Sequence, residues 1–212
     1  MNLPMNVNVY CSDGLCGHSS QVIVDPTNKQ VTHLVVKEKQ FPHTEYMAPI
    51  DQIMDSTPDM IKLRGTIAGL ATMDPFIHID TIYTDAKGMG YSTREVGLTG
   101  TLGIGYTTWP QHDAGERFTV TVKTEAVPAG EVALTQGAHI HASDGQIGRL
   151  DGFLTVAATG QITHLLLREG HLWGQTDVTI PAAQIDHLEE ENVYLKLDKA
   201  SISALPTTPV RT

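Results

Sequence analysis

The chain has 212 residues at 23.0 kDa, 41% apolar and 18% charged, which excludes wholesale disorder and allows one large or two small domains. Lys and Arg number 14 against 24 Asp and Glu, and the net charge of -10 argues against broad electrostatic binding to nucleic acid or an anionic membrane. No apolar run approaches the ~20 residues of a membrane helix, the opening M-N-L-P-M-N-V-N has no leader pattern, and two cysteines make no disulfide framework, so a reducing cytoplasm is the expected setting.

Residues 12–38 and 143–169 align without a gap at an offset of 131, with 9 of 27 positions identical. After one inserted residue the match resumes with Pro49/Pro181, Gln52/Gln184 and Ile53/Ile185. The chain therefore reads as a tandem duplication, and its elements come in pairs. Asp13-Gly14 and Asp144-Gly145 are hairpin turn signals. Gly17 and Gly148 fall where the next strand starts, as at a bulge or sharp bend. Residues 22–24 form a short strand stopped by the turn cluster Asp25-Pro26-Thr27-Asn28. Residues 30–37 and 161–168 are strands apolar on both faces: Val31, His33 and Val35 on one, Thr32, Leu34 and Val36 on the other. Strands at 60–63 and 193–197 lead to helical turns at 66–70 and 200–205, with Pro75 and Pro206 close behind. The stretch 76–129 is a Gly/Thr-rich connector with extended pieces at 76–83 and 117–124. The expected architecture is all-β: a first small barrel at 1–75, the connector at 76–129, a second barrel at 130–206 and a tail at 207–212, with a short helical turn ending each copy. Copies of ~70–80 residues lie near the lower limit for an independent core, so the two are expected to pair within the chain, a homodimer being the other arrangement.

The unit S-D-G-x-x-G, an apolar strand, a turn, T-H-L-[VL]-[VL]-[KR]-E and a closing P-x-x-x-I occurs twice in that order. V-P-A-G-E-V-A-L at 127–134, R-E-G-H-L-W-G at 168–174, V-T-I-P-A-A-Q-I-D at 178–186 and V-Y-L-K-L-D-K at 193–199 extend it in the second copy. This pattern resembles the PRC-barrel family over about 1–74 and 130–206. The resemblance implies a small β-barrel of the kind found in the cytoplasmic part of the photosynthetic reaction centre H subunit and in the C-terminal part of a ribosome maturation factor. It implies a protein-contact module without chemistry or cofactor of its own. No functional residue is carried over: Asp13, Gly14, Gly17, Asp144, Gly145 and Gly148 are read as structural.

His139 and His141 alternate on one strand face about 7 Å apart, a spacing at which two imidazoles chelate one ion. Their counterparts are Asn8 and Tyr10 and spacing identifies no third ligand, so a solvated strand face is the favoured reading. Cys11, Cys16 and His18 form C-x4-C-x-H, but the second copy has Ala142, Ile147 and Arg149 there, and the thiols read as isolated and buried. His33 and His164 recur in register and read as hydrogen-bonded core residues. Gly100-x-x-Gly103-x-Gly105 lacks the dinucleotide order, and G-x-S-x-G, H-E-x-x-H and the P-loop are absent, so no enzyme is expected. Glu189-Glu190-Glu191 reads as a solvated loop. His171 and Trp173 in R-E-G-H-L-W-G, and Phe41 in the corresponding F-P-H, put aromatic side chains in loops, where contact centres are enriched in them. The expected function is a non-enzymatic cytoplasmic protein–protein interaction or scaffold module, its protein partner not identified by the sequence, with no nucleic acid bound and no membrane insertion. The alternatives are a metal- or small-ligand-binding protein and a ribosome-assembly factor acting through a ribosomal protein.

Overall fold

A computed structural model of the chain describes residues 1–85, 117–169 and 178–205. The chain divides into two compact units, one of Met1–Phe76 with Ala126–Thr212 and one of Ile77–Glu125. In chain order the first half contains β1 (Asn2–Pro4), β2 (Asn8–Cys11), β3 (Gly14–Asp25), β4 (Gln30–Glu38), β5 (Glu45–Pro49), β6 (Ile53–Ser56), β7 (Met60–Leu63) and the single helical turn α1 (Ile67–Leu70). Then come β8 (Ile77–Asp85) and β9 (Arg117–Glu125). The second half contains β10 (Val132–Thr135), β11 (His139–Ala142), β12 (Gly145–Thr155), β13 (Ile162–Glu169), β14 (Val178–Pro181), β15 (Ile185–Glu189), β16 (Asn192–Leu195) and α2 (Lys199–Ser203).

The larger unit holds two seven-stranded sheets with the same strand order. The first runs β5-β4-β3-β2-β7-β6 and the second β14-β13-β12-β11-β16-β15. β2–β7 and β11–β16 are parallel; the other pairs are antiparallel. Among the described residues neither path closes on itself, and in this respect the sheets differ from the closed barrels expected from the sequence. The local reason is proline: Pro49 and Pro181 end β5 and β14, have no N–H to extend a ladder, and lead into the 3-10 turns Ile50–Gln52 and Ala182–Gln184 before the next strand.

The seventh strand of each sheet comes from the other half of the chain. β1 pairs with β12 of the second sheet, Leu3 opposite Phe153, and β10 pairs with β3 of the first, Leu134 opposite Val22. Both pairs are related by the 131-residue offset. The same reciprocity holds where the sheets meet: the Val31 N–H donates to Gly160 O at 3.0 Å and the Ile162 N–H to Lys29 O at 3.0 Å, around a bridge between Gln30 and Gln161. At the crossovers Asn6 (φ 59°) and Gly137 (φ 90°) each donate to a carbonyl of the home sheet, Ser19 and Leu150 respectively, both at 2.8 Å. One hydrophobic cluster spans both sheets, with Leu3, Val22, Leu34, Leu134, Phe153 and Leu165 fully buried in it. In β4 the consecutive residues Leu34, Val35 and Val36 are all fully buried, so this strand is covered on both faces.

The extended pieces of the connector pair with each other. β8 and β9 form an antiparallel ladder from Ile77–Glu125 to Asp85–Arg117. Residues 86–116, with Gly100, Gly103 and Gly105, lie outside the described residues. Among the described residues no helix is long and apolar enough to cross a membrane.

Candidate functional site

The loop between β4 and β5 presents Phe41, 89% exposed, while Leu34, Val35 and Val36 of β4 and Ala48 of β5 are buried. Its base is tied by the ladder pair Lys37–Glu45, whose side chains form an ion pair at 3.4 Å, and by the Glu38 N–H donating to Thr44 O at 2.8 Å. Inside the loop the His43 N–H donates to Gln40 O at 2.7 Å, the His43 ring lies 3.2 Å from Glu38 O through Nδ1, and it meets the Phe41 ring edge-on at 6.2 Å. The Lys39 N–H donates to Cys16 O at 3.0 Å, joining the loop to β3. The corresponding loop of the second sheet, with His171 and Trp173, lies outside the described residues.

A second feature belongs to the second sheet. His141, Tyr194 and His187 occupy one row across β11, β16 and β15, since His141 is opposite Tyr194 and Tyr194 opposite His187. Both imidazoles stack on Tyr194, at 5.1 Å and 19° for His141 and at 4.3 Å and 13° for His187. The row borders an open depression of about 630 Å3, also lined by Ser143, Asp186 and Lys196. His187 Nδ1 faces Asp186 Oδ2 at 2.9 Å, and Asn192 Oδ1 accepts from His141 Nε2 at 3.1 Å. The equivalent row of the first sheet is Tyr10, Lys62 and Asp55, with a Lys62–Asp55 ion pair at 3.9 Å. Three positions that hold a tyrosine and an ion pair in one sheet hold a three-ring stack in the other. Sequence reading picked out His141 but missed Tyr194 and His187. Setting the two halves side by side at 55–63 and 187–195 would have exposed the change. From the first half, Lys29 Nζ donates to Ala182 O at 3.3 Å and Ile185 O at 2.6 Å. Burial first, then repulsion by Lys196, hold its ammonium below the usual lysine value against the attraction of Asp186.

His139 and His141 lie on one face with ring centroids 6.3 Å apart and tilted by 55°. The Gln146 amide takes up His139 Nδ1 at 2.6 Å, as Asn192 takes up His141. Among the described residues no group of three or more His, Cys, Asp or Glu side chains is placed to hold a metal ion. The cysteines require a correction: Cys11 and Cys16 are buried but not isolated, and form a disulfide with Cα atoms 5.7 Å apart. A bulge makes this possible. Tyr10 is opposite Leu15 and Val9 opposite Gly17, so Cys16 is the extra residue and turns inward toward Cys11. His33 is only half-buried, within 3.0 Å of Thr32 Oγ1 and 4.0 Å of Glu131, at the contact between β4 and the residue preceding β10. Glu189-Glu190-Glu191 ends β15 and turns into β16.

The S-D-G residues act as a clamp. Asp13 Oδ1 accepts from the Ile67 N–H at 2.9 Å and Asp144 Oδ1 from the Lys199 N–H at 3.0 Å, tying each hairpin to its helical turn. Gly14 and Gly145 supply the positive φ of those turns, 141° and 129°. Gly148 is opposite Glu169, as Gly17 is opposite Glu38. No family model and no curated protein matches the chain.

Proposed function

We propose that this chain is a tandem duplication of a PRC-type β-barrel and serves as a non-enzymatic protein-contact module whose tip is the Phe41 loop. The observation that carries this reading is Phe41 itself, 89% exposed on a loop closed by its own hydrogen bonds. An aromatic side chain carries 150–250 Å2 of surface, by the usual estimate of about that size, and is among the commonest anchors at contact centres. Here the backbone holds it out of the core. The family resemblance supports the same reading, because its known settings are protein assemblies. A photo-crosslinking amino acid at position 41, expressed in the native host, should give a discrete protein adduct. The same group at exposed Met54 is the control. Adducts that are the same at both positions, or absent at 41, would count against the contact role.

A second reading rests on the His141–Tyr194–His187 row and the depression it lines, which suit a small planar ligand. Thermal-shift screening against planar aromatic compounds tests it. A stabilising compound whose effect disappears in Tyr194→Ala supports it, and a screen without such a compound counts against it.

A further inference from the structure

We propose that Cys11 and Cys16 form a thiol–disulfide exchange site for low-molecular-weight thiols and disulfides, with Cys11 carrying the mixed disulfide and Cys16 resolving it. Four observations lead there. The second sheet builds the same hairpin with the same bulge, His141 opposite Gln146 and Ile140 opposite Gly148, and fills the two positions with Ala142 and Ile147. Ala142 is 7% and Ile147 3% exposed, against 8% for Cys11 and 1% for Cys16, so the hairpin geometry is reached equally well without a sulfur–sulfur bond. A thiol pair is a small apolar filling of that kind.

The open state also has a partner ready. Val9 O lies 3.2 Å from Cys16 Sγ and accepts from its S–H once the bond is broken, so the buried thiol is not left unsatisfied. The bond closes a short loop, sequence separation 5, and constrains the unfolded chain little. Both sulfurs are buried, and position assigns the roles: Cys11, the more exposed at 8%, ends β2 beside the turn, while Cys16 at 1% is enclosed by the core.

The exchange balances without any group beyond the small thiol. A thiolate RS− attacks Cys11 Sγ, the Cys11–Cys16 bond breaks, and Cys16 leaves as a thiolate that takes up a proton and donates to Val9 O. A second RS− attacks the outer sulfur of the mixed disulfide, releasing RSSR and the Cys11 thiol. The sum is one disulfide and two RSH giving two protein thiols and RSSR, and oxidation by RSSR is the reverse. The Cys16 carbonyl accepts from the Lys39 N–H, so the site adjoins the base of the Phe41 loop.

The test uses the full chain equilibrated in mixtures of reduced and oxidised glutathione, followed by alkylation and mass measurement. Wild type should gain its two thiols together while still folded. Cys16→Ser should accumulate one glutathionyl group, on Cys11, and Cys11→Ser should acquire one on Cys16 about tenfold more slowly or slower still. Equal rates in the two single variants would overturn the assignment of roles. A wild-type bond that opens only when the chain unfolds would overturn the exchange site. The double variant Cys11→Ala/Cys16→Ile, carrying the second sheet's residues, should unfold in one cooperative transition and take up no glutathione. If it does not fold, the equivalence on which the proposal rests is lost.

Discussion

A Cβ placed on Gly17 would lie 2.1 Å from the Lys37 carbonyl oxygen and 2.9 Å from its carbon, and neither backbone atom can rotate aside. Gly17→Ala should therefore cost about 2–3 kcal/mol of stability by urea unfolding, the scale of overpacking a closed site. Gly65→Ala, with no atom within 4 Å of the new carbon, should stay within about 0.5 kcal/mol of wild type. Asp25 makes a second residue-scale case. Its carboxylate accepts the Asn28 N–H at 3.2 Å and the Thr27 N–H at 2.8 Å, and the Asn28 amide at 2.6 Å, closing the turn between β3 and β4. The Asn28 backbone bond above all, opposed by desolvation and helped by the Thr27 backbone and Asn28 side-chain bonds, holds its pKa below 3.8. Because the folded-state value is the lower one, the stabilisation is complete above 3.8 and is lost as pH falls through the folded value. Urea midpoints followed into acid should fall more steeply for wild type than for Asp25→Asn. Parallel curves would contradict this.

The helical turns α1 and α2 have four and five residues, too short to persist alone. Their first turns are held by Asp13 and Asp144 from the hairpins and by Thr66 and Asp198 at the caps. Asp13→Ala should cost about 1 kcal/mol, as for a lost cap, and should speed hydrogen exchange at the Ile67 amide. An unchanged exchange rate would rule out the clamp. These elements also mark what the sequence made legible. The repeated S-D-G turn, the doubly buried strand at 30–37 and the helical turns were readable because each is a local pattern occurring twice. The partner of Asp13 was not, because it lies 54 residues away. β1 and β10 were missed because three and four residues are too few for a period and their pairing is long-range. The His141–Tyr194–His187 row joins three strands, so no single window of sequence contains it. The cysteine spacing was visible, but the bulge that turns Cys16 toward Cys11 is a property of the strand pairing. Phe41 could be singled out because Phe41-Pro42-His43 stands where the second copy has its R-E-G-H-L-W-G loop, so the repeat itself pointed to it.

At the scale of the whole molecule the exchanged strands make each half dependent on the other. Leu3 and Leu134 are fully buried in sheets their own halves do not otherwise build. Leu3→Ala should cost about 2–5 kcal/mol, the range for a buried leucine, although β1 has only three residues. Halves produced by a cut between β8 and β9 should each be unstable alone and should combine one to one when mixed. Halves that stay monomeric and fully stable would defeat this. The crossover also orders events during synthesis. β10 begins 107 residues after β3 ends (Asp25 to Val132), so a chain emerging from the ribosome displays the apolar flank of β3 long before its covering strand exists. Nascent chains of this protein must hold that edge open while most of the remaining sequence is translated, and during that interval they are most exposed to proteases, to chaperones and to one another.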